Sequence, residues 1–165
     1  MIAPVQLPLP RLADPRYKGP LCAIETAKDL LGRSEDEIGL LVDGGQVVAF
    51  DIRSPGAARR DLRILTASIS EFNRDSGSED WVSTITPAQA VALVMRGFKT
   101  DKPYVTGKEI KAVLNCGRQH GVNLVSSKVL PQMPGTKYRR GPKGYALIPR
   151  PDFVQFLTHR LEGSI

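Results

Sequence analysis

The sequence predicts an α+β, mainly helical chain in which one short plan occurs twice. Three observations carry this. The pattern helix, tight turn, helix, two-strand return, short helix recurs about 83 residues later. Turn and cap residues stand at matching places in both copies. A polar run, Asn73–Asp80 (NRDSGSED), separates them.

In chain order, residues 1–20 come first, with Pro4, Pro8, Pro10, Pro15 and Pro20. So many prolines oppose any helix, including that of a signal peptide, and the segment reads as an extended arm. The first module is expected over 21–75. Ile24 to Leu31 has amphipathic helical spacing, Gly32-Arg33-Ser34 makes the turn, and Glu35 to about Val42 forms a second helix stopped by Gly44-Gly45. Val47 to Ile52 alternates as a strand, and a Pro/Gly/Arg loop follows. Leu62 to Leu65 returns as a second strand, and Ser68 starts a helix through Ile69 and Phe72.

Residues 76–85 are expected to be a linker, and 86–165 a helix followed by the second module. Thr86 caps a helix to Arg96 with Pro87 in its first turn. Thr106 then caps Gly107–Leu114, Asn115-Cys116-Gly117 turns, and Arg118–Ser126 forms the next helix. Val129 and Leu130 lead into a Gly/Pro-rich loop, Tyr145–Ile148 returns as a strand, and Asp152 starts the last helix, through Phe153, Phe156 and Leu157. The copies align without a gap through the returning strand, with one extra residue before the last helix.

Two helices across a three-residue turn followed by a hairpin is the plan of a winged helix-turn-helix, here two tandem modules each with a short antiparallel β-hairpin wing. In that geometry the second helix is free to enter a DNA major groove, while the hairpin carries cations to flanking phosphates.

Charge separates the copies. Residues 1–80 hold 10 Lys/Arg against 13 Asp/Glu, and residues 81–165 hold 13 against 4, so a net −3 half precedes a net +9 half. Such an excess in a small domain points to a polyanionic partner; a solubilising surface is the plainer alternative. The cysteines, Cys22 and Cys116, form no CxxC pair, and with only His120 and His159 no zinc set is expected. No cofactor, metal or small-molecule ligand is expected, and reduced thiols fit a cytoplasmic, nucleoid-associated protein. No apolar run approaches the ~20 residues that span a bilayer.

The candidate base-reading residues are Arg118, Gln119, His120 and Asn123, at the start of the second module's recognition helix. Arg pairs with guanine O6/N7, and Gln or Asn with adenine N6/N7. A solvated helix face would carry similar residues, and His120 could simply cover the helix. Thr106 and Lys108, at the preceding helix's N-terminus, are candidates for a phosphate oxygen, Thr106 serving equally as a plain cap. Lys137, Arg139, Arg140 and Lys143, interleaved with Tyr138 and Tyr145, form the candidate wing; a solvated basic tip would have the same composition. In the first module Arg59, Arg60 and Arg63 form a secondary wing, with Arg53 nearby. Glu35, Asp36 and Glu37 suit a helix N-terminus and would repel phosphates, so they form a candidate assembly surface for the basic half of another copy.

The segments Val105–Ile110, Leu114–His120 and Asn123–Val125, closed by Arg140-Gly141, Ala146–Arg150, Phe153 and Phe156-Leu157, resemble the excisionase-like and MerR-like winged-helix families of phages, mobile elements and bacterial regulators. The first copy is similar through Thr26–Leu31 and Arg63–Leu65. Together the matches cover about three quarters of the chain. The resemblance implies a sequence-specific double-stranded DNA-binding protein, an accessory or regulatory factor acting in recombination or transcription, with itself or a recombinase as further partner. Two departures stand out: Gly121 replaces an expected apolar residue, predicting a bent or loosely packed helix, and the first recognition helix is acidic. Alternatives are a DNA-packaging recognition subunit, an RNA binder using its tyrosines for stacking, and a protein–protein adaptor. A Cys116/His120 nucleophile–base pair is the enzymatic alternative; no third group, P-loop or HExxH accompanies it.

Overall fold

A computed structural model of the chain describes residues 19–54, 56–78, 80–98, 102–126, 130 and 147–162. It is α+β and mainly helical. The first half runs β1 (Leu21–Ala23), α1 (Ile24–Leu31), α2 (Glu35–Asp43), β2 (Ala49–Asp51), β3 (Leu62–Leu65) and α3 (Thr66–Asp75). The second runs α4 (Pro87–Met95), β4 (Tyr104–Thr106), α5 (Gly107–Leu114), α6 (Arg118–Ser126), β5 (Leu147–Pro149), α7 (Arg150–Arg160) and β6 (Leu161–Glu162). Among the described residues no helix is long and apolar enough to cross a membrane.

The halves share an order of elements and a pairing. β1 pairs antiparallel with β3, setting Leu21 opposite Leu65, as β4 pairs with β5, setting Tyr104 opposite Pro149. From β1 to α2 the second copy lies 83 residues on, since Leu21, Ile24 and Glu35 match Tyr104, Gly107 and Arg118. Leu65 to Pro149 is 84, so the extra residue falls before β5 rather than before the last helix.

The helix ends follow local chemistry. Gly32 ends α1 in the left-handed region at φ 63°, and Asn115 does the same for α5 at φ 51°. Capping boxes open α2 (Ser34/Glu37), α4 (Thr86/Gln89) and α5 (Thr106/Glu109). Ser68 is not a helix start. Helix α3 begins at Thr66, and Ser68, wholly buried, donates to Leu65 O at 2.7 Å and accepts from Val48 N at 3.0 Å. A hydroxyl able to both donate and accept suits this seam between helix and sheet.

Val47–Ile52 alternates between two faces, and all six residues are buried. Val47 and Ala49 join a core with Ala27, Ile38, Val42, Ile64, Ile69 and Phe72 from the first half. Val48, Phe50 and Ile52 face the opposite way, into a core with Val94, Ile110, Leu114, Leu124, Phe153 and Leu157. The first half's sheet is therefore covered by its own helices on one face and by the second half on the other. The apolar run Val47–Phe50 is the sequence mark of a strand covered on both faces, with Asp51 following it.

Residues of 21–75 and of 86–165 share one hydrophobic core. Strand β6 pairs with β2, Leu161 opposite Phe50, making a four-stranded sheet of order β1-β3-β2-β6. Part of the expected linker is pinned too. Glu71, 1% exposed, accepts from Ser83 Oγ at 2.6 Å and Thr84 N at 3.2 Å, and also from the Thr84 hydroxyl. Trp81 meets Phe72 edge-on, and Ile85 enters the shared core. A buried carboxylate needs such donors, and the linker supplies them. The expected arm at 1–20 lies outside the described residues except for Gly19 and Pro20, whose carbonyls accept from the Thr66 hydroxyl.

Candidate nucleic-acid interface

Helix α6 carries three of the four candidate base readers in its first turn, and the structure separates them. Arg118 opens the helix, and its side chain lies outside the described residues. Gln119 is exposed, and its Nε2 donates to Asn123 Oδ1 at 3.0 Å, one turn on. These two amides therefore form one unit on the helix surface.

His120 is a correction. Its Nε2–H donates to the Ile52 carbonyl, which can only accept, and its Nδ1 lies 3.5 Å from Asp61 Oδ2. The imidazole thus engages both ends of the β2–β3 connection instead of offering itself to a base edge. Residue spacing placed it on the same turn as Gln119 but could not reveal that the first half abuts this turn. Burial pushes the Cys116 thiol above its ordinary pKa, the opposite of what activates a nucleophile.

Gly121 does not loosen α6. It is buried, and a Cβ there would lie 2.9 Å from Lys111 Cγ. The missing side chain is what lets α6 approach α5 closely, while Leu124 and Val125 fill the core beyond.

At the start of α5, Thr106 is the N-cap. Its Oγ1 accepts from Glu109 N at 3.2 Å, and Glu109 Oε1 accepts from Thr106 N and Oγ1 at 3.0 Å each. The Glu109 carboxylate already stands at the positive end of the helix, so a second anion would be repelled there. Lys108 remains exposed on the same turn. Lys137, Arg139, Arg140 and Lys143 lie outside the described residues; in chain order they fall between α6 and β5.

The secondary wing divides in three. Arg63 has an internal role: its Nε donates to the Leu114 and Asn115 carbonyls at 3.0 Å, at the C-terminus of α5, and its Nη1 pairs with Asp61 at 2.5 Å. A guanidinium there satisfies carbonyls that the helix leaves open. Arg60 pairs with Asp43 of α2 at 2.9 Å. Arg59 is exposed and has no ion pair among the described residues. At the root of the connection, buried Asp51 accepts from Arg53 N and Asp61 N at 3.1 Å each and pairs with the Arg53 side chain.

Glu35, Asp36 and Glu37 are all exposed in the first turn of α2. Hydrogen bonds from Ser34 hold the Glu37 carboxyl below its ordinary pKa, with Arg33 assisting. Glu35, Asp36 and Asp43 share a cleft of about 490 Å³ with Arg59, Arg60 and Leu40, and Leu40 is 71% exposed. The acids thus act first as local helix-starters.

Comparison with known proteins returns no match: no family model, no curated relative and no solved structure aligns with the chain.

Proposed function

We propose that the chain is a sequence-specific double-stranded DNA-binding protein of two tandem winged helix-turn-helix modules, with α6 as its base-reading helix. The 127–146 connection serves as the basic wing. The observation that carries this reading is the coincidence of plan and charge. The half with 13 Lys/Arg against 4 Asp/Glu is also the half where a two-helix turn leads, through a segment bearing Lys137, Arg139, Arg140 and Lys143, into a strand paired beside it. Arginine at the start of α6 adds support. A cation there opposes the helix dipole, and α6 has no acid in its first turn, so an external anion would relieve the conflict.

With His120 engaged, the base-reading set becomes Arg118, Gln119 and Asn123. Biologically the chain is then an accessory or regulatory factor of a phage or mobile element, as the excisionase-like and MerR-like resemblance implies.

The experiment is fluorescence anisotropy on duplexes enriched from a random-sequence pool, across a salt series. Wild-type affinity should fall steeply with salt as phosphate neutralisation releases counterions. Gln119→Ala should cost about 1–3 kcal/mol on the enriched sequence and relax preference at one position. Lys143→Ala should weaken all duplexes alike and reduce the salt slope by about one. A wild-type chain that binds single-stranded RNA better than duplex, or binds neither, sinks the reading.

A further inference from the structure

The root of the first half's β2–β3 connection is bonded to the first turn of α6. Ile52, at its start, accepts from His120 Nε2, and Asp61, at its end, faces His120 Nδ1 at 3.5 Å. Arg63, just beyond, donates to the α5 C-terminus. Both sides of the helix-turn-helix turn at 115–117 are thus tied to the same strand connection. That connection holds three arginines, of which Arg53 and Arg60 are paired with Asp51 and Asp43, and Arg59 is exposed without an ion pair among the described residues.

Resting on the DNA-binding reading above, we propose that α6 and the first half's β2–β3 connection form one composite nucleic-acid surface. In it Arg59 supplies a phosphate contact, and His120 is the positioning residue that keeps the connection in register with Gln119. The half with net negative charge then contributes to binding through this connection alone. Its helix α2 adds no contact of its own, since Glu35, Asp36 and Glu37 are exposed in its first turn and would repel phosphates brought onto the helix. Fixing the connection against the reading helix removes a freedom that a tethered module would lose on binding.

The test uses the full chain and a duplex pool with a randomised core. Arg59→Ala, at an exposed position, should lower the salt slope by about one and weaken enriched and scrambled duplexes equally. His120→Ala should leave the salt slope near wild type but cut the preference for enriched over scrambled duplex about tenfold. His120→Gln, whose amide can still donate to Ile52 O, should recover much of that preference, and a merely structural loss would not show this pattern. Thermal unfolding of each variant separates loss of fold from loss of contact. If Lys143→Ala lowers the salt slope and Arg59→Ala does not, the composite surface is overturned while the DNA-binding reading stands. If wild type binds no duplex at low salt, both fall.

Discussion

Helices α2 and α6 hold the same place in the two copies but are kept there differently. Helix α2 carries its own support: a Ser34/Glu37 capping box, three acids in its first turn, and Ile38 buried beneath it. At the position matching Ile38, α6 has Gly121, and its first turn holds arginine, glutamine and histidine. Its position depends on close contact with Lys111 and on oxygens of the first half that face His120. Helix α2 is supported within its own half, whereas α6 is completed by the neighbouring half. A helix relieved of starting itself is free to present residues chosen for another task.

The widest gap between these descriptions is in cooperativity. If the second half depends on the first, Phe50→Ala, which empties a wholly buried site in the shared core, should cost about 3–5 kcal/mol. Hydrogen exchange should then show amides of α5 and α7 losing protection together with those of α1 and α2. Two separate transitions, with α5 and α7 unaffected, would break the comparison.

A smaller effect of opposite sign in the two copies should come from their helical glycines. Gly39 of α2 has room for a Cβ, the nearest atom being Arg60 Nη2 at 3.6 Å. Gly39→Ala should therefore raise stability by about 0.5–1 kcal/mol in urea unfolding. Gly121→Ala drives a Cβ against Lys111, and overpacking should outweigh the helix-propensity gain, lowering stability by about 1 kcal/mol.

The least costly probe is thiol chemistry. Burial pushes Cys22 up to about 12 and raises Cys116 more modestly. A raised pKa means less thiolate at a given pH, so near pH 8 Cys22 should be almost inert to iodoacetamide and Cys116 slow. Both should react quickly in denaturant. Rapid labelling of Cys22 in the folded chain would show that the β1 edge opens readily.

Much of the local structure was legible because its causes are local. Ser34, Thr86 and Thr106 with their partners three residues on, and the Gly32 and Asn115 turn positions, place helix ends with little help from elsewhere. The short strands β1, β4 and β6 escaped notice, since three residues carry too little periodicity to register. One signal was misread. The four apolar residues Val47–Phe50 in a row announce a strand covered on both faces, and that pointed to a second layer lying against it. At the candidate interface, spacing gathered Gln119 and Asn123 on one helix face. It could not separate His120 from them, nor distinguish Arg63, a partner of α5, from the exposed Arg59.

Taken alone, the amino-acid order determined the doubled plan, the ends of the helices that carry their own caps, and the division into an acidic and a basic half, because caps, turns and net charge depend on neighbours in the chain. Tertiary structure decided that the halves share a core, that β6 completes the first half's sheet, and which cations and which histidine are spent inside. Those outcomes depend on what meets across a long sequence separation. His120 and Ile52 lie 68 residues apart, and no local pattern encodes their contact.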